Sequence, residues 1–340
     1  MKKVILIGIL IILAGYACKR SIGEEIDYPA AYVVNGEDHS ISVINLATNQ
    51  VTHTFVLKGF DYPHHISLSP DKLRLAVSAP GIDLSGGHSH AGHGDNVKAK
   101  IVTLSALDLH KLECDKNRLA SHNAAFSPSG SEIWAAYMDT KGQVLVYDAK
   151  KLKEKAAIHV ASTPLEVTFS ADGTTAFVCC SGADQVIAID AATRAIRATI
   201  SVGSVPVGAW PASNNKMYVD NEMSKTISVI DVATLAVEDT ISLGFTPAMV
   251  AYNQSVNELY ITDPDAGLLH YYTYSGNWTE AGTIATGAGA HGVAVSNDGS
   301  RAYVTNQGAH TVTVIDLVGK TKLADIAVGK KPNGIVLRYL

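Results

Sequence analysis

A unit of about 42 residues returns along this chain, and it limits the possible folds more than any other feature. Its clearest copy runs Gly292-Val-Ala-Val-Ser-Asn-Asp-Gly-Ser-Arg-Ala-Tyr-Val-Thr-Asn306, then Thr311-Val-Thr-Val-Ile-Asp316, then Ala324-Asp-Ile-Ala-Val-Gly329. Runs of strand length alternate apolar and polar residues, which is the period of a β-strand. Asp-Gly after the first run marks a tight hairpin. The Asp that closes the third run (Asp148, Asp190, Asp231, Asp316) suits an Asx turn before the fourth. Equivalent positions fall at His64, His122, Leu165, Val207, Ala248, His291 and Asn333, with spacings of 58, 43, 42, 41, 43 and 42. The long first spacing marks an insertion. Four strands in a unit of this length make a propeller blade, and the seven copies predict seven blades.

The two ends of the chain fit each other. Ala31-Tyr-Val-Val-Asn35 matches Ala302-Tyr-Val-Thr-Asn306, a second strand, while Pro332-Asn-Gly-Ile-Val-Leu337 matches a first strand. The last strand is therefore expected to complete the first blade, which removes the open edges of a linear array. The expected fold is all-β: a seven-bladed β-propeller of four-stranded blades over residues 31–340, with a His-rich insertion at 80–97. Tyr303-Val-Thr-Asn306, Tyr32-Val-Val-Asn35 and Tyr218-Val-Asp-Asn221 resemble the YVTN repeat. The chain as a whole resembles YVTN-family, YncE-like propellers of bacterial envelopes. That resemblance implies the fold and the envelope. Such propellers include surface-layer proteins, binding proteins and relatives of enzyme domains, so it implies no single function.

Ahead of the repeats stands a targeting segment. Lys2 and Lys3 precede an apolar stretch, Val4 to Gly15, that is short for a bilayer span. Ala14-Gly15-Tyr16-Ala17-Cys18 offers small residues for cleavage before Cys18, as in bacterial lipoproteins, although Gly15 stands where leucine is usual. Residues 1–17 read as a signal peptide, 18–30 as a tether and Cys18 as the lipidation site, with plain secretion as the alternative. This predicts a periplasmic or outer-membrane-anchored lipoprotein, monomeric, that meets the membrane only through its anchor. Cys114, Cys179 and Cys180 read as buried apolar cysteines, an odd number for a disulfide framework. Net charge is −5, or −7 without Lys2 and Lys3 (25 basic against 32 acidic residues), so no nucleic-acid partner is expected.

The histidines carry the functional signal. Nine of the 13 map to one face of the propeller, on blades 7, 1, 2 and 3. His64, His65, His122 and His291 stand where the chain joins a first strand. His39 and His310 occupy equivalent second-to-third-strand loops of blades 1 and 7. His88, His90 and His93 lie in the insertion, Gly86-Gly-His-Ser-His-Ala-Gly-His-Gly94. Imidazole is the common borderline ligand for Zn and Cu. The expectation is a Cu or Zn site with His64, His122 and His291 as rigid ligands and with His88, His90 and His93 closing over them. His65, His39, His310 and Glu166 form a second rank. His64 and His65 are adjacent on a strand and are expected to point apart, so that only one faces the tunnel mouth. The bland alternatives are histidines that only bond neighbouring loops, and a loop that binds metal adventitiously as a tag does.

Other signals are weaker. Gly287-Ala-Gly-Ala-His-Gly292 has the letters of a dinucleotide fingerprint, but a strand follows it where a helix is needed. Glu166, at the position equivalent to His65 in blade 4, suits a general base or a cation ligand. Asp220, Asn221, Glu222, Asp263 and Asp265 make an acidic arc across from the histidines, for which ordinary turn chemistry is the favoured explanation. Trp210-Pro211 reads as a packing and bulge feature. Three functions fit: an envelope binding or scaffold protein with a metal, small ligand or protein partner; a metal-dependent or lactonase-like enzyme; and a purely structural surface protein. No complete catalytic constellation can be assembled, which counts against the enzyme.

Overall fold

Each repeat folds as four antiparallel strands, and seven such sheets make up the propeller. In blade 7 the strands are Ala290–Val295, Arg301–Asn306, Thr311–Asp316 and Thr321–Ala327, adjacent in that order. The computed structural model describes residues 23–86, 99–115 and 120–340. The expected leader, Cys18 and the insertion histidines His88, His90 and His93 lie outside the described residues. Closure follows the terminal match: Pro332–Arg338 pairs with Ala30–Asn35, Leu337 opposite Ala31 and Ile335 opposite Val33. Among the described residues no helix is long and apolar enough to cross a membrane.

Burial grades outward through each blade. Second strands such as Thr175–Cys180 are buried at every position, because each blade is pressed between two others. Fourth strands such as Gln50–Val56 alternate between exposed and half-buried residues. The repeat letters have physical roles. Tyr32, Tyr218 and Tyr303 fill the seams between blades. The Asn35 amide donates to the hydroxyls of Ser40 and Ser42 at 3.0 and 2.9 Å. Asn306 does the same to Thr311 and Thr313 at 2.9 and 2.8 Å, locking the end of the second strand to the third. Asp231 accepts the Ala233 and Thr234 N–H groups at 3.0 and 2.8 Å, the Asx turn its position predicts. Cys179 and Cys180 are buried and Cys114 half-buried, all as free thiols.

First strands run along the axis from the histidine face, called the top below, to the bottom. Second-to-third-strand loops and the links between blades lie at the top. First-to-second and third-to-fourth loops lie at the bottom.

Candidate metal centre at the propeller axis

The residues that lead into the first strands meet at the axis. His64 precedes the first strand of blade 2, His65–Leu68, and His122 precedes that of blade 3, Ala125–Phe126. Both His64 and His65 reach the cluster, which corrects the expectation that they point apart. The cause is a bulge. His65 pairs with Ser78, whose carbonyl also accepts the His64 N–H at 2.9 Å, so two residues oppose one. Strict alternation of side chains fails at such a site. Gly334, on the first strand of blade 1, makes room for this backbone. A Cβ there would stand 2.9 Å from His65 Cα and 3.0 Å from the His64 carbonyl oxygen. The Gly334 N–H donates to that oxygen at 2.9 Å.

Ligand-type nitrogens of His64, His65 and His122 all lie within 4.8 Å of one another, and all three residues are buried. His64 Nε2 is 2.9 Å from His122 Nε2. On its other side His122 turns Nδ1 to Glu166 Oε1 at 2.9 Å, and the same oxygen is 3.2 Å from His65 Nε2. These are close approaches without aligned hydrogen-bond geometry, and Glu166 Oε2 has no hydrogen-bond partner among the described residues. Glu166 is 1% exposed. Burial pushes its carboxyl well above the usual range, and the charge of Asp220 pushes it the same way. The His291 ring stands farther out, its centroid 5.7 Å from that of His64 and 6.3 Å from that of His65.

Asn123 and the second strands hold this arrangement. The Asn123 amide donates to the Val167 carbonyl at 2.9 Å and accepts the Val167 N–H at 3.1 Å, so it extends the ladder of blade 4 and keeps His122 against Glu166. Thr262 and Thr305, fifth in their strands, donate to the carbonyls of His291 and Asn333, each at 2.7 Å. Ser78, at the same position, donates to Ser121. In blade 5 this position is Asp220, which is fully buried and accepts from Trp210 Nε1 at 2.6 Å and from the Gly208 N–H at 3.2 Å. Burial pushes the Asp220 carboxyl up as well. A Cβ at residue 208 would meet the indole at 2.5 Å, so glycine lets the ring fold over the backbone. Trp210 is thereby brought to the axis, its ring 6.4 Å from that of His65. From sequence, Trp210-Pro211 reads as a packing and bulge feature. The glycine two residues before it is the trace that could have signalled more.

His39 and His310 do other work. Both adopt left-handed turns, with φ of 48° and 59°. The Nδ1 of each accepts the backbone N–H that leads into the next blade, Tyr62 at 3.0 Å and Lys331 at 3.2 Å. Asp184 performs the same task for Val205 at 2.8 Å. These side chains clamp blade to blade and do not join the axial cluster. Asp263 accepts the Asp265 and Ala266 N–H groups of its own loop, each at 3.0 Å, and so belongs to turn chemistry.

Cavities flank the cluster above and below. The lower one, about 500 Å³, is lined at its inner end by His65, Glu166, Trp210, Asn123 and Thr168. The upper one, about 520 Å³, is lined by His291, Gln307, Glu222 and Asp265, with Ser85 and Gly86 at the base of the insertion.

Three imidazoles in this spacing suit a borderline dication. Nitrogens on a tetrahedral ion at 2.0–2.1 Å stand roughly 3.3 Å apart. The His64–His122 separation of 2.9 Å is close to that value, and the 4.8 Å limit of the trio needs closing by about 1.5 Å. Glu166 at His122 Nδ1 matches the outer carboxylate that commonly fixes the tautomer and direction of a ligating histidine. The residues fit a transition metal with three protein ligands and one position open.

No protein-family model matches the chain. Among solved structures it is similar to the periplasmic gluconolactonase PpgL of Pseudomonas aeruginosa, with a TM-score of 0.74 and 18% identity over 91% of this chain and 98% of that one. It is similar in the same way to a candidate 6-phosphogluconolactonase of Bacteroides fragilis, with a TM-score of 0.73 and 15% identity over 92% and 98%. At these identities the likeness shows the fold. In sequence it is 51% identical over 47 residues to the PE-PGRS family protein PE_PGRS18 of Mycobacterium tuberculosis, a stretch that spans 14% of this chain and 10% of that protein.

Proposed function

We propose that this chain is an exported envelope propeller that binds a divalent transition metal, Zn or Cu(II), at its axis through His64, His65 and His122. One observation carries the reading: nitrogens of three buried imidazoles from two blades converge within 4.8 Å. An all-nitrogen donor set suits Zn and Cu(II) better than Cu(I). Glu166 lies 2.9 Å from His122 Nδ1, and His291 stands on the approach from the top. The YVTN-like repeats, the leader and the PpgL neighbour support a periplasmic setting, with Cys18 as the lipid anchor.

Calorimetric titration of Zn and Cu(II) into tag-free mature protein tests this. Binding is expected to disappear in the His64→Ala, His122→Ala double variant and to persist when His88, His90 and His93 are replaced by alanine. A Kd weaker than about 1 mM, or an affinity that follows only the insertion histidines, refutes an axial site.

The lower cavity favours a second reading, hydrolysis of a lactone or ester. A bound dication would supply Lewis acidity and a more acidic water. Glu166 and His65 face the cavity where a carbonyl could sit, and Trp210 walls it. Chelator-sensitive hydrolysis of gluconolactone, lost in Glu166→Gln, would establish this reading; activity indifferent to both changes would remove it.

A further inference from the structure

The described chain starts at the bottom of the propeller. Ile26 is fully buried. Its N–H donates to the Leu107 carbonyl at 2.6 Å, and its carbonyl accepts from Arg338 Nη1 at 2.8 Å. Arg338 Nε also donates to the Lys72 carbonyl at 3.0 Å. Leu107 and Lys72 lie in bottom loops of blade 2, and Arg338 ends a first strand there. Glu24 then reaches His53 on the outer strand of blade 1 at 3.7 Å. The chain leaves at the rim between blades 1 and 2.

Exposed large apolar side chains gather toward the same face. Of ten among the described residues, only Val56 and Met223 lie toward the top. Six of the others form one arc on neighbouring blades: Val256 and Tyr274 on blade 6, Val318 and Leu323 on blade 7, Leu340 on blade 1 and Leu73 on blade 2. Val318 is 81% exposed and Leu340 69%. Single exposed apolar residues are ordinary, but such a one-sided distribution marks an interaction surface.

We infer that the bottom face of blades 6, 7, 1 and 2 lies against the lipid bilayer, with the histidine face turned away from it. This rests on the reading of Cys18 as the anchor. Cys18 stands five positions before Gly23, a span of at most about 18 Å. A six-residue blade strand is itself about 20 Å long. A lipid on Cys18 is therefore held near the rim between blades 1 and 2, beside the outer strand of blade 1. The apolar arc begins beside that rim, so the surface that the tether brings to the lipid is the one able to enter its interface.

The test is site-directed labelling of the full-length lipidated chain on phosphatidylcholine/phosphatidylglycerol vesicles. Val256→Cys, Val318→Cys and Met223→Cys, each in a Cys114→Ser background, carry an environment-sensitive fluorophore, and nitroxide lipids serve as quencher. Quenching at 256 and 318 severalfold above that at 223 is expected. Equal quenching at all three positions, or none at 256 and 318, overturns the orientation. Mass spectrometry of Cys18 separates this from failure of the anchor reading. If Cys18 proves unmodified, the unlipidated chain is mixed with the same vesicles: quenching confined to 256 and 318 sustains the face, and no quenching refutes it. Protection of 256 and 318 in cells without quenching on vesicles also refutes it, in favour of a protein partner.

Discussion

Two sets of histidines occupy the top of this propeller and share little beyond their side chain. At the axis, His64, His65 and His122 lie buried with their nitrogens turned toward one another and toward Glu166. Toward the rim, His39 and His310 spend Nδ1 on a backbone N–H of the next blade. What separates them is the neighbour that the backbone supplies. An N–H left over at a blade junction makes histidine a clamp, and any short acceptor serves, as Asp184 does. At the axis the bulge at Ser78 and the missing side chain of Gly334 bring imidazoles together, their nitrogens facing one another and Glu166. Position on a face therefore says little about role until the hydrogen-bond accounting is complete.

Exchanging the two sets is the largest test of this contrast. The His64→Ala, His122→Ala variant should lose metal binding altogether. The His39→Ala, His310→Ala variant should bind with unchanged affinity and melt at a lower temperature. Titration calorimetry and a thermal melt of both variants read this out. Metal affinity lost equally in both would mean that the rim takes part in the site.

Glu166→Gln comes next, and its sign depends on whether metal is present. The Glu166 carboxyl is pushed up by burial and by Asp220. A group with a raised folded pKa favours folding below its unfolded value, near 4.3, and this contribution is lost as pH rises toward the folded pKa. Metal-free protein should therefore lose stability from this group above about pH 4.3, and Glu166→Gln should flatten that decline and raise the neutral-pH Tm. With metal the order reverses, because glutamine orients His122 without the charge. Affinity should fall roughly 10–100-fold, the usual cost of losing an outer carboxylate. Melting curves from pH 4 to pH 8 with chelator or with Zn separate the two effects.

The same comparison shows which parts of the structure the letters could reveal. Blade number, closure and the Asx turn of Asp231 were readable because they repeat, and a repeated residue does a repeated job. The gathering of His64 and His122 at one face was readable for the same reason, since their positions align in the unit. The bulge was not, because nothing local in Pro63-His64-His65-Ile66 announces that Ser78 will face two residues. Nor was the inward turn of Trp210, which depends on Asp220 across a hairpin. The split between clamp and cluster was hidden as well, because it depends on which N–H each side chain meets after the blades have packed.

Gly334→Ala tests the backbone half of the contrast. The added methyl would press on His65 Cα and the His64 carbonyl, both at about 3 Å. Overpacking of this kind costs about 1–3 kcal/mol, and here the strain falls on the bulge itself. Chemical denaturation should show the loss, and metal affinity should fall with it. Stability lost without any change in affinity would show that the imidazoles converge independently of this backbone contact.

The smallest effect is the most selective. His310→Ala leaves the Lys331 N–H without its acceptor, a cost of about 1 kcal/mol, whereas His310→Asp should restore stability, because Asp184 fills the equivalent place with the same left-handed backbone. Neither change should move metal affinity. A denaturation series comparing the two variants checks the reasoning directly: if aspartate is as destabilising as alanine, the imidazole at residue 310 does more than accept one N–H, and the division between rim and axis is less sharp than the hydrogen bonds make it.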